Sequence, residues 1–191
     1  KQGLKLIAGK VPGFRSFAKF YCCHNKEKKN PDSGWIHPES PLAHAKVRKA
    51  LTKAINMDQI NKVFFGGKGE VMYNTHFHPT RAGWDPSWVT RYKDEYGYDP
   101  EAAKKLLAEA GYPDGFEFEW TASPNESWGI PIVEATIPML AKVGIKVKVK
   151  PVETSALGGV VVGGDFQAYI WSNTSGPDSL TALKCFHSST P

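Results

Sequence analysis

The sequence predicts an α/β lobe whose mixed β-sheet is flanked by helices. Tyr98 to Trp120, YDPEAAKKLLAEAGYPDGFEFEW, reads as a capped helix running into a strand. IKVKVKPV, Ile145 to Val152, alternates apolar with other residues, and FQAYIW, Phe166 to Trp171, is a further short strand-forming run. Strands and helices that follow one another in this way imply helices laid on a sheet.

Taken in order, LKLIA (Leu4 to Ala8) and RSFAKFYC (Arg15 to Cys22) predict two strands joined by a loop holding Gly9, Pro12 and Gly13, a hairpin. His24 to Pro41 is polar and turn-rich and reads as a long surface loop with Trp35 as its large anchor. His44 to Met57 places Val47, Ala50, Leu51, Ala54 and Ile55 on one face of a helix. Asp58 is expected to cap a second short helix, QINKVFF, ended by Gly66 and Gly67. Gly66 to Tyr98 shows no sustained period and is dense in aromatic residues, so it is expected to be a long loop.

Asp99, Pro100 and Glu101 mark the next helix start: a side-chain acceptor for orphan amides, a proline suited to the first helical position, and an acid facing the positive end of the dipole. Ala103, Leu106, Leu107 and Ala110 form its apolar face, and Gly111 stops it. Ser127 to Val143 reads as another helix, with Pro138 removing one backbone hydrogen bond. Gly158, Gly159, Gly163 and Gly164 in TSALGGVVVGG disfavour a helix by roughly 1 kcal/mol each relative to alanine, so that span is expected to be a loose loop.

The totals exclude several classes. At 191 residues, 41% hydrophobic and 12% aromatic, the chain can bury a core of one or at most two domains. No apolar run approaches the roughly 20 residues that span a bilayer, and the N-terminal residues lack the apolar segment of a signal peptide. The protein is therefore cytoplasmic, or a leader precedes it. A net charge of +5, with 24 Lys and Arg against 19 Asp and Glu spread along the chain, reads as a solvated surface, and no nucleic-acid partner is expected. Cys22, Cys23 and Cys185 leave two readings open, one pairing with Cys185 or buried free thiols.

Catalytic patterns are absent. Ser, His and Asp are plentiful, but no G-x-S-x-G elbow is present, and the glycine clusters lack the strand-to-helix setting or the Lys of a phosphate loop. His76 and His78 form an HxH from which a zinc-dependent enzyme can be imagined. No carboxylate or cysteine stands beside it at ligand spacing, so no metal, cofactor or catalytic residue is expected.

Four blocks combine into a resemblance: PLAHAKVRKALTKAINMDQINKVFFGGKGE, YDPEAAKKLLAEAGYPDGFEFEW, the helix leading into LAKVGIKVKVKPVE, and GDFQAYIW. Together, in order from about Pro41 to Leu180, they resemble the C-terminal lobe of the family 5 extracellular solute-binding proteins, the peptide- and nickel-type receptors of ABC transporters. The resemblance implies a periplasmic-binding-protein type II lobe spanning residues 1–191, a single α/β lobe cut at both ends from a two-lobe receptor. It further implies a periplasmic or extracellular location, with or without a lipid tether. The receptor would be a monomer that closes over a small-molecule or peptide solute and passes it to an ABC transporter membrane permease.

On this resemblance Trp171, Ser172, Asn173 and Thr174 face the cleft, with Trp120, Tyr73, His76 and Arg81 as further ligand-binding candidates. Peptide-binding members carry an aspartate soon after the tryptophan that ends this strand, whereas here Ser172, Asn173 and Thr174 follow Trp171 and the first acid is Asp178. A neutral rim of hydroxyls and amides suits an uncharged solute.

Overall fold

The computed structural model describes residues 15–20, 39–70, 73, 79, 83–125, 129–163 and 166–173. Four strands, β1 (Arg15–Phe20), β2 (Glu117–Ala122), β3 (Lys146–Pro151) and β4 (Ala168–Asn173), form one sheet in the order β1-β4-β2-β3. β2 runs parallel to both β3 and β4, and β1 pairs antiparallel with β4, so the sheet is mixed. The partner of β1 is thus β4, while the first strand of the expected hairpin, Leu4 to Ala8, lies outside the described residues.

Among the described residues six α-helices accompany the sheet: α1 (Ala45–Ala54), α2 (Met57–Phe65), α3 (Ser87–Tyr96), α4 (Pro100–Glu109), α5 (Ile130–Ala141) and α6 (Thr154–Gly163). α4 begins as its sequence predicts, with Asp99 Oδ1 accepting the Ala102 amide at 2.9 Å and Pro100 in the first turn. It ends where Gly111, at φ 91°, lets the Tyr112 amide fold back to the Leu107 carbonyl. α2 corrects the expected cap. Asn56, not Asp58, accepts the Gln59 amide at 2.9 Å, because α1 stops at Ala54 and Asn56 is the extended residue between the two helices.

Two spans expected to be loops are helical. α3 spaces Trp88, Val89, Tyr92 and Tyr96 as a helix does, but over ten residues and with none of them fully buried; Lys49 of α1 pairs with its Glu95 at 3.8 Å and stands over the Tyr96 ring, and Asp85 Oδ1 accepts the Ser87 amide at 2.9 Å to start it. Hydrogen bonds from Ser87 hold the Asp85 carboxyl below the ordinary aspartate range. α6 forms in spite of Gly158, Gly159 and Gly163. Leu157 is fully buried, and Val160 and Val161 pack on Phe166 and Tyr169, so tertiary burial outweighs the propensity loss. Added Cβ atoms at Gly158 and Gly159 meet nothing within 4 Å. Gly158→Ala and Gly159→Ala are therefore expected to stabilise the chain by about 0.5–1 kcal/mol each in urea denaturation. A loss of stability would mean that this span is not helical.

The core lies on one face of the sheet. Phe118, Trp120 and Ala122 of β2 meet Ala168 and Ile170 of β4, and α1, α4 and α5 close over them through Val47, Leu51, Leu107, Val133 and Leu140. α5 runs through Pro138, which leaves one carbonyl of the preceding turn without its usual amide. Lys46 reaches from α1 to Glu109 of α4 at 2.9 Å, and this bond lowers the Glu109 carboxyl's pKa. On the opposite face, Lys148 pairs with Glu117 at 2.6 Å and Lys150 with Glu119 at 2.8 Å, while α6 covers the neighbouring part of the sheet. Among the described residues no helix is long and apolar enough to cross a membrane.

Candidate functional site

The order of the strands defines a crevice. From β2 the chain crosses through α5 to β3 on one side, then returns through α6, past β2, to β4 on the other. α5 contributes to the cluster around Trp120, and α6 packs with Phe166 and Tyr169 on the second face. The direction of winding therefore reverses around β2, and in open α/β sheets such a point leaves a ligand crevice beyond the carboxyl ends of the strands.

Three polar segments stand level at that end. Trp120 is opposite Ala168, and Ala122 is opposite Pro151, so continuing the register sets residues 171–173 and 152–154 beside residues 123–125. Arg15, paired with Asn173, starts β1 at the same end. Ser123 is fully buried and its hydroxyl lies 2.6 Å from that of Thr154. The Asn125 amide donates to Ser123 Oγ at 3.2 Å, and its side-chain amide donates to Glu153 Oε2. The loop after β2 is thereby tied to the start of α6, while the Ile130 amide reaches the Ser123 carbonyl at 3.3 Å and ties it to the start of α5.

Because α5 and α6 both follow strands that end here, both present N-termini, and hence positive dipole ends, to the crevice. Gly129 caps α5 without a side-chain bond; the Ile130 amide is taken by Ser123 and Pro131 has none, which leaves the Ile132 amide of the first turn for another acceptor. Thr121, one residue before this end, is fully buried, and among the described residues its hydroxyl has no hydrogen-bond partner. The exposed Asn125, Glu153 and Thr154 and the helix ends give the crevice amide and hydroxyl donors and a carboxylate acceptor with which to hydrogen-bond a polar solute.

The candidates taken from the sequence divide. Trp171, Ser172 and Asn173 are the last three residues of β4 and lie at the crevice end. Thr174, His76, Arg81 and His78 lie outside the described residues. Trp120 corrects the expectation of a pocket wall. It is 1% exposed, with its ring 5.1 Å from Phe20 and 5.9 Å from Phe118, because its position in β2 turns it into the core. Tyr73 is held by Trp84 and by Tyr92 of α3 in the outer helical layer rather than by the strand ends. Ser123, Asn125, Glu153 and Thr154 belong to no sequence motif. Their signal was position alone, polar residues directly after FEFEWTA and KVKVKPV.

A mixed sheet with a polar crevice at the winding reversal of its parallel strands is the arrangement at which open α/β folds take ligands. The chain belongs to the bacterial extracellular solute-binding proteins, family 5, whose middle region matches residues 15–191. The glutathione-binding protein GsiB of Pectobacterium atrosepticum is 32% identical over 134 residues, which cover 65% of this chain and 23% of that protein. GsiB of Escherichia coli K12 is 36% identical over 127 residues, with the same coverage of 65% and 23%. The chain thus spans about a quarter of the length of these relatives. Among solved structures, DppA of Helicobacter pylori in complex with the peptide STSA aligns with a TM-score of 0.63 at 25% identity, over 88% of this chain and 30% of that one. HbpA2 of Haemophilus parasuis aligns with a TM-score of 0.61 at 26% identity, over 85% and 31%.

Proposed function

We propose that this chain is one lobe of the solute-binding component of an ABC transporter, a receptor that captures a small polar or peptide-like solute in the periplasm or outside the cell and hands it to a membrane permease. The observation that carries the reading is the crevice beyond β2, β3 and β4, where residues 123–125, 152–154 and 171–173 stand level. Family membership and the glutathione- and peptide-binding relatives support it. In this reading the lobe forms one wall of the cleft and a second lobe of the receptor the other. A solute that hydrogen-bonds to both favours the closed arrangement, which the permease distinguishes from the open one. The chemistry is binding without catalysis, by a monomer.

The test is a calorimetric titration of the full-length receptor with reduced glutathione and with a short peptide. Asn125→Ala and Asn173→Ala are each expected to weaken the bound solute by about 0.5–1.5 kcal/mol, the net contribution of a neutral hydrogen bond. Lys146→Ala, at the opposite end of β3, should leave affinity unchanged. Unaltered affinity in both asparagine variants would move the site elsewhere.

A further inference from the structure

The outer helical layer holds a cavity of about 330 Å³ where the C-terminal ends of α1 and α3 meet the start of α2. We propose that it is a second binding site, for a small zwitterion bearing an aromatic ring, of the size of one aromatic amino acid. Tyr73, Tyr92, Tyr96 and Tyr98 line it together with Ile55 and Met57. Tyr73 and Tyr92 meet edge to face at 5.4 Å, and Tyr92 and Tyr96 lie 5.8 Å apart, an arrangement into which a further ring can insert edge or face.

Four large apolar side chains are exposed among the described residues, and three of them, Met57 at 43%, Tyr96 at 39% and Tyr98 at 47%, line this cavity. Apolar exposure gathered in one concavity is the mark of a binding surface, whereas scattered exposure carries no such meaning. The polar groups supply the orientation. Asp58 and Lys93 also line the cavity, and among the described residues neither side chain has an ion-pair or hydrogen-bond partner. One free acid and one free base match the ammonium and carboxylate of an amino acid. The Gly97 carbonyl accepts from Lys53 and the Asn56 side chain caps α2, so these two wall groups are already engaged. Burial, with Tyr73 alongside, raises the Tyr92 phenol's pKa.

The site is independent of the crevice beyond β2, and the experiment separates the two. The 191-residue chain is titrated with L-phenylalanine while backbone amide shifts are followed by NMR. The expected result is saturable shifts at Asn56, Asp58, Lys93 and Gly97 with a dissociation constant on the order of 1 mM. Tyr96→Ala should weaken binding about tenfold, the loss of one aromatic pair. Tyr98→Ala serves the same purpose if the Tyr96 variant fails to fold. Asp58→Asn should weaken L-phenylalanine and leave benzyl alcohol, which carries the ring without the charges, unchanged. Three results overturn the proposal: no shifts at these residues up to about 10 mM, shifts confined to residues 123–125 and 171–173, or benzyl alcohol binding as tightly as L-phenylalanine.

Discussion

Trp120→Ala is expected to destabilise the chain by about 3–5 kcal/mol, the range for removing a large buried aromatic side chain. Trp120 is 1% exposed and sits in a row of rings on one face of β2 and its neighbours: Phe116 and Phe118 are 6.1 Å apart, Phe118 and Trp120 5.9 Å, and Trp120 and Phe20 5.1 Å. Alanine leaves a cavity that β4 and the helices above cannot fill without moving. Trp120→Phe separates packing from polarity. Among the described residues the buried indole N–H has no hydrogen-bond partner, a state that carries a desolvation penalty of about 1–3 kcal/mol. Phenylalanine removes that donor while keeping most of the ring contacts, so its loss should stay below about 1.5 kcal/mol. Equilibrium urea unfolding checks both. Equal losses for the two variants would show that the indole is held by something other than packing.

Gly115→Ala is expected to be comparably severe for a different reason. Gly115 lies in the turn before β2 at φ 77°, and a Cβ there would stand 1.9 Å from the Gly144 carbonyl oxygen and 2.3 Å from its carbon. Gly144 is itself the turn before β3, at φ 84°, and the Lys146 amide bonds the Phe116 carbonyl at 2.8 Å directly beyond this contact. The left-handed conformation costs an alanine roughly 1–2 kcal/mol. Backbone against backbone cannot yield as a side chain can, so the first pairs between β2 and β3 must separate. We expect a total loss of at least about 3 kcal/mol, or a midpoint fall of roughly 6–12 °C for a chain of this size. Gly144→Ala, with its nearest contact at 3.0 Å, should lose less. The reverse ranking would contradict the packing of the two turns.

What the sequence disclosed was local. Asp99, Pro100 and Gly111 define α4 because each acts within one helical turn, and the alternation in FEFEW and KVKVKP marks β2 and β3 because a half-buried strand repeats every two residues. What it concealed depends on distant partners. α3 is short and buries no residue fully, so its aromatic spacing, Trp88, Tyr92 and Tyr96, is lost among the other rings of a long irregular stretch. α6 is held by Leu157 and by Phe166 and Tyr169, beyond the reach of a glycine count. The pressing of Gly115 on Gly144 joins residues far apart in the chain. Within the candidate site, residues 171–173 were found through the family resemblance. Ser123, Asn125, Glu153 and Thr154 became visible only when strand register set three segments at one height. Trp120 looked like a pocket aromatic because sequence shows that a strand has two faces without showing which is covered.

Amide hydrogen exchange on the full-length receptor, with and without bound solute, tests the central claim most directly. The crevice reading predicts that solute slows exchange at residues 123–125, 152–154 and 171–173 together, with residues 92–98 unaffected. Protection absent from those three segments and found instead around α3 would contradict it.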